Sequence, residues 1–217
     1  MNSSHEPPHA RVPYQTAARG LLRDSVLDAL RELLMQRDWS KVTLADVARS
    51  AGLSRQTLYN EFGSRTGLAQ AYAVRLADEL VSHVDRALWA NVGDARAAMR
   101  QGLETFFLDS ASDPLIQSLL TGEVKPDLLR LITIDGLPLV EHATERLAAA
   151  FRGSWVRATT EQATALASVF VRLALSYIGI PANSVLTVPE ELAEVLAPYV
   201  EAIIAAQQLQ PAPGAVD

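Results

Sequence analysis

Residues 43–62, TLADVARSAGLSRQTLYNEF, decide how the N-terminal third of this chain folds. The first half of the stretch has the i, i+3, i+4, i+7 apolar spacing of one buried helix face, at Leu44, Val47, Ala48 and Ala51. Gly52 follows, and glycine adopts the positive φ that ends a helix at no steric cost. Leu53 is then expected to pack inward, and Ser54 is a typical N-cap for a second helix. We therefore predict two short helices joined by a tight turn.

The second helix of this stretch keeps most of its side chains away from the core. Only Leu58 and Phe62 are expected to pack inward. The outward residues can all hydrogen-bond to phosphates or to base edges, and they are Arg55, Gln56, Thr57, Tyr59 and Asn60. Ala48 is small enough to let the two helices cross closely. This arrangement predicts a helix-turn-helix whose second helix enters the major groove of DNA.

The composition is that of a globular protein, and it excludes several chemistries. Apolar residues make up 49% of the 217 residues and charged residues 20%. The chain has no cysteine, which excludes disulfides, thiolate metal sites and cysteine nucleophiles. The N-terminal residues contain no apolar segment of the kind found in signal peptides, so we expect a cytoplasmic protein. We expect no cofactor and no metal ion.

The net charge of −6 is unevenly distributed along the chain. Residues 1–67 hold nine basic and seven acidic residues, whereas residues 68–217 hold ten and eighteen. The mildly basic part can therefore meet a polyanion while the acidic part forms a separate domain. Because the basic excess is small, affinity for DNA should depend on where the charges point and on the presence of two copies.

The chain divides into three predicted regions, and none of them has the alternating pattern of strands. Residues 1–16 are aperiodic and are expected to form a disordered arm, in which Arg11 is either solvated or in contact with DNA. Residues 17–67 are predicted to form the helix-turn-helix domain. Residues 68–217 are predicted to form a helical ligand-binding and dimerisation domain. The predicted fold class is all-α.

Apolar spacing, together with Gly, Pro and Asp at the breaks, indicates where the remaining helices lie. They are predicted over residues 16–37, 64–89, 94–110, 114–121, 126–133, 137–152, 159–180 and 189–208. Residues 163–182 carry a single charge, Arg172, and have the length of a membrane span. We interpret them as a buried helix, because an arginine at mid-span costs about 2.5–3.5 kcal/mol. The last two helices of each of two subunits are expected to form a four-helix bundle in a homodimer.

The first helix, the segment VTLADVARSAGLSRQTLYNEFGSRTGL and the long helix after it resemble the DNA-binding domain of TetR-family transcriptional regulators. The resemblance covers roughly residues 20–70, and the matching positions are Thr43, Ala48, Gly52, Leu53, Ser54, Thr57, Leu58, Tyr59 and Phe62. The remainder is similar only in size and helical character. A weaker resemblance is to actinobacterial members associated with alkane and lipid genes. The family resemblance implies a homodimeric repressor that a small molecule releases from its operator.

The resemblance also implies roles for individual side chains. The implied contacts to double-stranded DNA are Lys41, Thr43, Ser54, Arg55, Gln56, Thr57, Tyr59, Asn60 and Arg65. Arg65 stands where the family usually has a lysine, and it keeps the positive charge at the phosphate. Alternatives remain open, because Thr43 and Ser54 can be caps alone, and Tyr59 can be a packing residue. Exposed polar residues such as Arg55 and Gln56 need no function.

The C-terminal two thirds contain many apolar and few buried-type polar residues, which favours a hydrophobic or amphipathic effector such as a fatty acid or an acyl derivative. The candidate lining residues are Met99, Leu103, Phe106, Phe107, Leu115, Leu119, Leu120, Leu139, Phe170 and Leu173. The candidates that could orient a head group are His142, Arg146, Arg172 and Tyr177. Each has a structural alternative, since helical apolar stripes are usually core and lone polar residues are usually paired.

Two other classes of function compete with a regulator. An enzyme is disfavoured because the four histidines are scattered and no HExxH, GxSxG or phosphate-loop motif occurs. A helical lipid-binding module without DNA binding is the main alternative. The cluster of outward polar residues between Arg55 and Asn60 argues against it.

Overall fold

The computed structural model describes residues 14–180 and 187–208, and within these ranges the fold is all-α, as predicted. A 3-10 turn at Trp39–Lys41 interrupts the order of the α-helices. In chain order the α-helices of the described residues are α1 (Tyr14–Gln36), α2 (Leu44–Ser50), α3 (Arg55–Phe62), α4 (Arg65–Ala90), α5 (Ala95–Ser112), α6 (Pro114–Leu120), α7 (Pro126–Ile132), α8 (Leu137–Gly153), α9 (Thr160–Gly179) and α10 (Val188–Gln208).

The observed helix bounds lie within about two residues of the predicted ones. The largest consequence is at α1, which begins at Tyr14, so that residues 14–16 are helical and do not belong to the predicted arm. Apolar spacing marks the buried face of a helix, and the first turn contributes little to that face. The rest of the predicted arm, including Arg11, lies outside the described residues.

Contacts between residues divide the chain after Ser64 into two units. In the first unit, Trp39, Val42, Val47 and Leu58 are almost completely buried between α1, α2 and α3. Gly52 has a φ of +67°, the left-handed conformation expected for the turn between α2 and α3. The predicted inward residue Leu53 is half-buried. The helix-turn-helix predicted from this segment is therefore present in the fold.

The second unit, Arg65–Asp217, is a bundle in which α4 packs on α5 and α8, α8 on α9, and α5 on α10. The crossing of α4 and α5 is close, because a Cβ at Gly102 would lie 3.1 Å from the backbone Cα of Val84. The main hydrophobic cluster of this unit draws residues from α4, α5, α8, α9 and α10. The predicted lining residues Met99, Leu103 and Phe170 are completely buried in that cluster.

Helix α9 is long and apolar enough to cross a membrane when judged by length and composition alone. Six of its residues are buried within the second unit, and they are Ala163, Leu166, Ala167, Phe170, Val171 and Ala174. Packing in the unit's own core therefore accounts for much of its apolar character, since buried core helices pass the same test. On the other side, α9 exposes Val169, and α10 exposes Val195 and Tyr199.

Candidate nucleic-acid interface and ligand cavity

Helix α2 begins with a capping box that involves Thr43 and Asp46. The Thr43 hydroxyl accepts a hydrogen bond from the Asp46 backbone N–H at 3.2 Å. In return, the Asp46 carboxylate accepts from the Thr43 backbone N–H at 3.1 Å and from the Thr43 hydroxyl at 2.7 Å. These hydrogen bonds, and more weakly Arg37 and Arg49, hold the pKa of Asp46 below its usual value. Thr43 is thus a cap, and its hydroxyl proton is already donated to a carboxylate.

Helix α3 begins at a second cap, formed by Ser54. The Ser54 hydroxyl accepts from the Thr57 backbone N–H at 3.0 Å and lies 2.8 Å from the Thr57 hydroxyl. Thr57 is half-buried beside this cap. A cap at this position fixes the direction in which the first turn of α3 points, and it leaves the helix N-terminus exposed toward solvent, where backbone N–H groups favour anions.

The outer face of α3 carries the other polar residues of the predicted interface. Arg55, Gln56 and Asn60 are exposed, and the side chain of Tyr59 is 50% exposed. The Gln56 amide nitrogen donates to the Asn60 carbonyl oxygen at 2.8 Å. This pair, one helical turn apart, leaves further amide donors and acceptors of both residues toward solvent. The arrangement is chemically suited to reading base edges.

Two cations outside α3 were also predicted to contact DNA. Lys41 is exposed at the end of the 3-10 turn. Arg65 is the first residue of α4 in the second unit, and its Nη1 lies 3.3 Å from a carboxylate oxygen of Asp127. The side chains of Arg65 and Asp127 are each about one-third exposed. Arg65 therefore already has an anionic partner in the second unit.

Glu61 of α3 is a functional candidate that the sequence reasoning missed. Its carboxylate accepts hydrogen bonds from Arg19 Nε at 2.9 and 3.0 Å and from Arg23 Nη1 at 2.6 Å. The arginines lie on α1, about forty positions earlier in the chain. No local pattern could have revealed this contact, although a glutamate on a helix expected to face DNA is itself unusual enough to require an explanation.

The second unit contains an apolar cavity of about 70 Å³, lined by side chains from α4 through α9. Of the predicted lining residues, the cavity includes Phe106, Leu115, Leu119 and Leu139. The lining residues that the sequence reasoning missed are Ala73, Leu76, Ala77, Leu80, Ile116, Leu128, Leu131, Ile132, Ala143, Val171, Ala174, Leu175 and Ile178. Leu76 and Leu80, four positions apart on α4, were the most visible signal.

The other predicted lining residues lie away from this cavity. Met99, Leu103 and Phe170 are completely buried in the core, and Leu173 packs against that core. Phe107 is buried with its ring edge-on to Tyr177, the centroids being 6.0 Å apart. Leu120, by contrast, is 39% exposed. Helical apolar spacing identifies the face of a helix that points inward. It does not show which residues of that face pack in the core, which line the cavity and which lie at the edge of the surface.

The predicted polar residues His142 and Arg146 form a structural pair with a carboxylate. An oxygen of the Asp78 carboxylate on α4 accepts a hydrogen bond from His142 Nε2 at 2.8 Å, and the same oxygen lies 3.1 Å from Arg146 Nε in an ion pair. Neither residue lines the apolar cavity. A second histidine, His83, is buried on α4 with Asp109 at 3.0 Å from Nε2 and Arg86 at 2.8 Å from Nδ1. The contacts of Asp78 join α4 to α8, and the contact of His83 with Asp109 joins α4 to α5; none of these polar residues lines the cavity.

A larger, open cleft of about 510 Å³ adjoins the cavity, and the two share Ile132 and Leu175. The cleft is lined by α7, the start of α8 and the end of α9. Its lining includes the exposed guanidinium-bearing side chain of Arg172 and the hydroxyl-bearing Ser176 and Thr133. An apolar cavity that borders a partly polar cleft is a geometry suited to an amphipathic molecule.

Two family models match successive parts of the chain. The model described as bacterial regulatory proteins, tetR family, matches residues 26–72. The model described as bacterial tetracyclin repressor, C-terminal domain, matches residues 94–198. The first match covers the helix-turn-helix, and the second covers most of the helices that surround the cavity and the cleft.

Individual relatives agree with these matches. The chain is 55% identical over 194 residues to the HTH-type transcriptional regulator AlkX of Mycobacterium tuberculosis, covering 89% of this chain and 92% of the relative. It is 31% identical over 94 residues, 42% of either chain, to the HTH-type transcriptional regulator EthR of Mycolicibacterium smegmatis. The crystal structure of the TetR family repressor AlkX from a Dietzia species, implicated in biodegradation of n-alkanes, matches with a TM-score of 0.79. That match has 43% identity and covers 84% of this chain and 96% of the other. The chain therefore belongs to the TetR family of DNA-binding transcriptional regulators.

Proposed function

We propose that this protein is a homodimeric repressor that binds double-stranded operator DNA and leaves it when a hydrophobic or amphipathic small molecule binds the second unit. The observation that carries the proposal is the outer face of α3. The side chain of Leu58 is buried on one face of this helix, and the other faces carry the exposed residues Arg55, Gln56, Tyr59 and Asn60. A polar face of this kind, held on a short helix after a tight turn, is suited to the major groove.

The DNA contacts follow from the chemistry of each side chain. Gln56 and Asn60 read base edges, because carboxamides make paired hydrogen bonds to adenine. Arg55 contacts a base or a phosphate, and Tyr59, Lys41 and Arg65 contact phosphates. Thr43, Ser54 and Thr57 place the backbone N–H groups of α2 and α3 against phosphates, with their hydroxyls serving first as caps.

The homodimer forms through α9 and α10. Support comes from large apolar side chains that these helices leave exposed, among them Val195, which is 71% exposed, together with Val169 and Tyr199. Burying such residues against a second copy would complete a four-helix bundle. A dimer also provides two reading helices, whose separation must match half-sites about 34–36 Å apart or a multiple of that distance.

The effector occupies the apolar cavity and the adjoining cleft, and a fatty acid or an acyl derivative fits this chemistry. The hydrocarbon chain lies among Leu76, Leu119 and Leu131, and Arg172 in the cleft pairs with an anionic head group. Ligand sites are commonly about 300–1,000 Å³. The apolar cavity has only about 70 Å³, so it must widen when the hydrocarbon chain enters. The link of the Dietzia relative with n-alkane degradation is consistent with such an effector. By linkage, a ligand that prefers the widened form weakens DNA binding.

The protein acts in the cytoplasm and has no enzymatic activity under this proposal. The experiment that tests the DNA-binding part is fluorescence anisotropy with duplexes that the wild-type protein selects from a random pool. Tyr59→Phe and Arg65→Ala should weaken binding to every duplex, and Arg65→Ala should also reduce the salt slope by about one unit. Gln56→Ala should change which duplexes are preferred.

A matched control is Arg152→Ala, which removes the same charge from an exposed position on α8. It should leave affinity and salt slope unchanged. If the wild-type protein selects no duplex but still binds a fluorescent fatty acid, the protein is a lipid-binding module and not a regulator. If purified protein carries only polar adducts in native mass spectrometry, the proposed effector class is wrong.

A further inference from the structure

Glu61 connects α3 to α1 through short ion-pair contacts to two arginines. Its two carboxylate oxygens receive hydrogen bonds from Arg19 and Arg23, at 2.6–3.0 Å. The arginines are four residues apart on α1, so they lie on one face, one turn from each other. Arg23 also lies over the ring of Phe62, with its guanidinium carbon 5.0 Å from the ring centroid. Charged and apolar contacts therefore meet at the C-terminal end of α3.

The Glu61 carboxylate is largely removed from solvent, being 12% exposed, whereas Arg19 is 66% exposed. Burial raises the pKa of Glu61, but the hydrogen bonds from Arg23 and Arg19 lower it more, so the net pKa lies below its usual value. Glu61 is thus ionised at neutral pH. A partly desolvated carboxylate that two arginines hydrogen-bond holds its position more rigidly than an exposed ion pair does.

The fully buried side chains of α3 lie along a single line. The helix has only eight residues, too few to be stable by itself, and its buried residues Leu58 and Phe62 are one turn apart. A helix attached along one line can roll about it. Glu61 lies to one side of that line, because successive residues are separated by about 100° around the axis. The contacts to α1 therefore oppose rolling.

Rolling matters because the base-reading residues lie farthest from the buried line. The outer face lies about 10 Å from the buried line, across the diameter of the helix, so a roll of about 20° about that line moves side-chain atoms there by about 3.5 Å. Hydrogen bonds to base edges tolerate only a few tenths of an ångström. A small roll would therefore disrupt the contacts of Gln56 and Asn60 while leaving phosphate contacts by long arginine side chains in place.

We infer that Glu61 is a positioning residue for base readout: held by Arg19 and Arg23, it sets the rotation of α3 at which Gln56 and Asn60 face the base edges. This inference rests on the proposed DNA-binding function. It also explains why a carboxylate is tolerated on a helix that approaches a polyanion, since two guanidinium groups neutralise its charge.

The test compares Glu61→Gln with the wild-type protein on two duplexes by fluorescence anisotropy at one salt concentration. One duplex is selected from a random pool by the wild-type protein, and the other is its scrambled version. The variant should bind the selected duplex about tenfold more weakly, comparable to losing one base contact. Binding to the scrambled duplex should stay equal or become tighter, because a negative charge has been removed. Glu32→Gln is the matched control, an exposed carboxylate on α1 that should change neither affinity.

Three outcomes would overturn the inference. If Glu61→Gln tightens binding to both duplexes equally, Glu61 acts only as a repelling charge. If it lowers the melting temperature but leaves both affinities unchanged, the role is structural only. If Glu61→Gln fails to fold, Arg19→Gln removes only part of the contact, at an exposed residue. An unchanged ratio of the two affinities in this variant would also contradict the inference.

A double variant adds an independent readout. Arg23→Gln should reduce the same affinity ratio, and the combination with Glu61→Gln should be no worse than either single change, because both break one contact. Additive losses would contradict a shared positioning role. Failure of the proposed function would be distinguishable, because the wild-type protein itself would then select no duplex from the pool.

Discussion

The outer face of α3 and the apolar cavity of the second unit are built in opposite ways. The face belongs to one helix of eight residues, and its polar side chains extend away from the core. The cavity takes its lining from six helices, and many lining residues, such as Leu80 and Val171, are also core residues. Residues of the face can therefore be changed without loss of stability, whereas changes in the cavity affect binding and folding together.

The largest effect expected within α3 tests this separation. Leu58→Ala should lower the free energy of unfolding of the first unit by about 2–5 kcal/mol, because Leu58 is completely buried. Asn60→Ala, two positions later, should change it by less than about 0.5 kcal/mol. Urea denaturation followed by circular dichroism measures both. Equal losses would mean that the outer face also supports the fold.

The second effect concerns neighbouring leucines of α6, both of which the sequence reasoning assigned to the cavity. Leu119→Trp should weaken binding of a fluorescent fatty acid by about tenfold or more, because it fills the cavity that Leu119 lines. Leu120→Trp should leave binding unchanged, since Leu120 is exposed outside it. A titration by fluorescence measures both affinities. If the two variants behave alike, the ligand binds elsewhere.

A smaller effect is expected from the cap of α2. Thr43→Ala should lower the stability of the first unit by about 1 kcal/mol, because the Asp46 backbone N–H loses its acceptor. Thr43→Ser retains the hydroxyl and should restore most of this stability. DNA affinity measured on the folded variants then separates capping from phosphate contact. If Thr43→Ala weakens DNA binding without destabilising the protein, the hydroxyl contacts phosphate directly.

The smallest effect is a difference in pH dependence between the two units. Burial lowers the pKa of His83 from 6.5, and Arg86 lowers it further, although Asp109 acts in the opposite direction. The pKa of His83 is therefore lower in the folded state than in the unfolded state. Its contribution to the stability of the second unit is fully present above about pH 6.5 and is lost as the pH falls through the folded pKa. In the first unit, the pKa values of Asp46 and Glu61 lie below those of free carboxylates, so neither group titrates in the folded state over this pH range.

Urea denaturation at about pH 7.5 and pH 5 measures this difference. The second unit of the wild-type protein should lose stability at the lower pH, and His83→Gln should reduce the loss because it removes the titrating group. The first unit should remain unchanged in both proteins. A loss of equal size in His83→Gln would assign the pH dependence to other groups.

Local sequence patterns predicted the helices and the caps because the interactions involved span only a few residues. Thr43 and Asp46, and Ser54 and Thr57, are each three positions apart, so their contacts could be recognised in the sequence. The helical period also separated buried Leu58 from exposed Gln56 and Asn60. The same period could not separate Phe106, which lines the cavity, from Phe107, which packs on Tyr177.

By itself, the amino-acid sequence determined the helix bounds, the turn at Gly52 and the polar face of α3, because each depends on the spacing of residues within one or two turns. Only the tertiary structure decided which apolar residues surround empty space and which fill the core. It also paired Glu61 with Arg19 and Arg23, and Arg65 with Asp127. Such contacts join residues about 40 to 60 positions apart, and their geometry depends on how whole helices pack rather than on any local pattern.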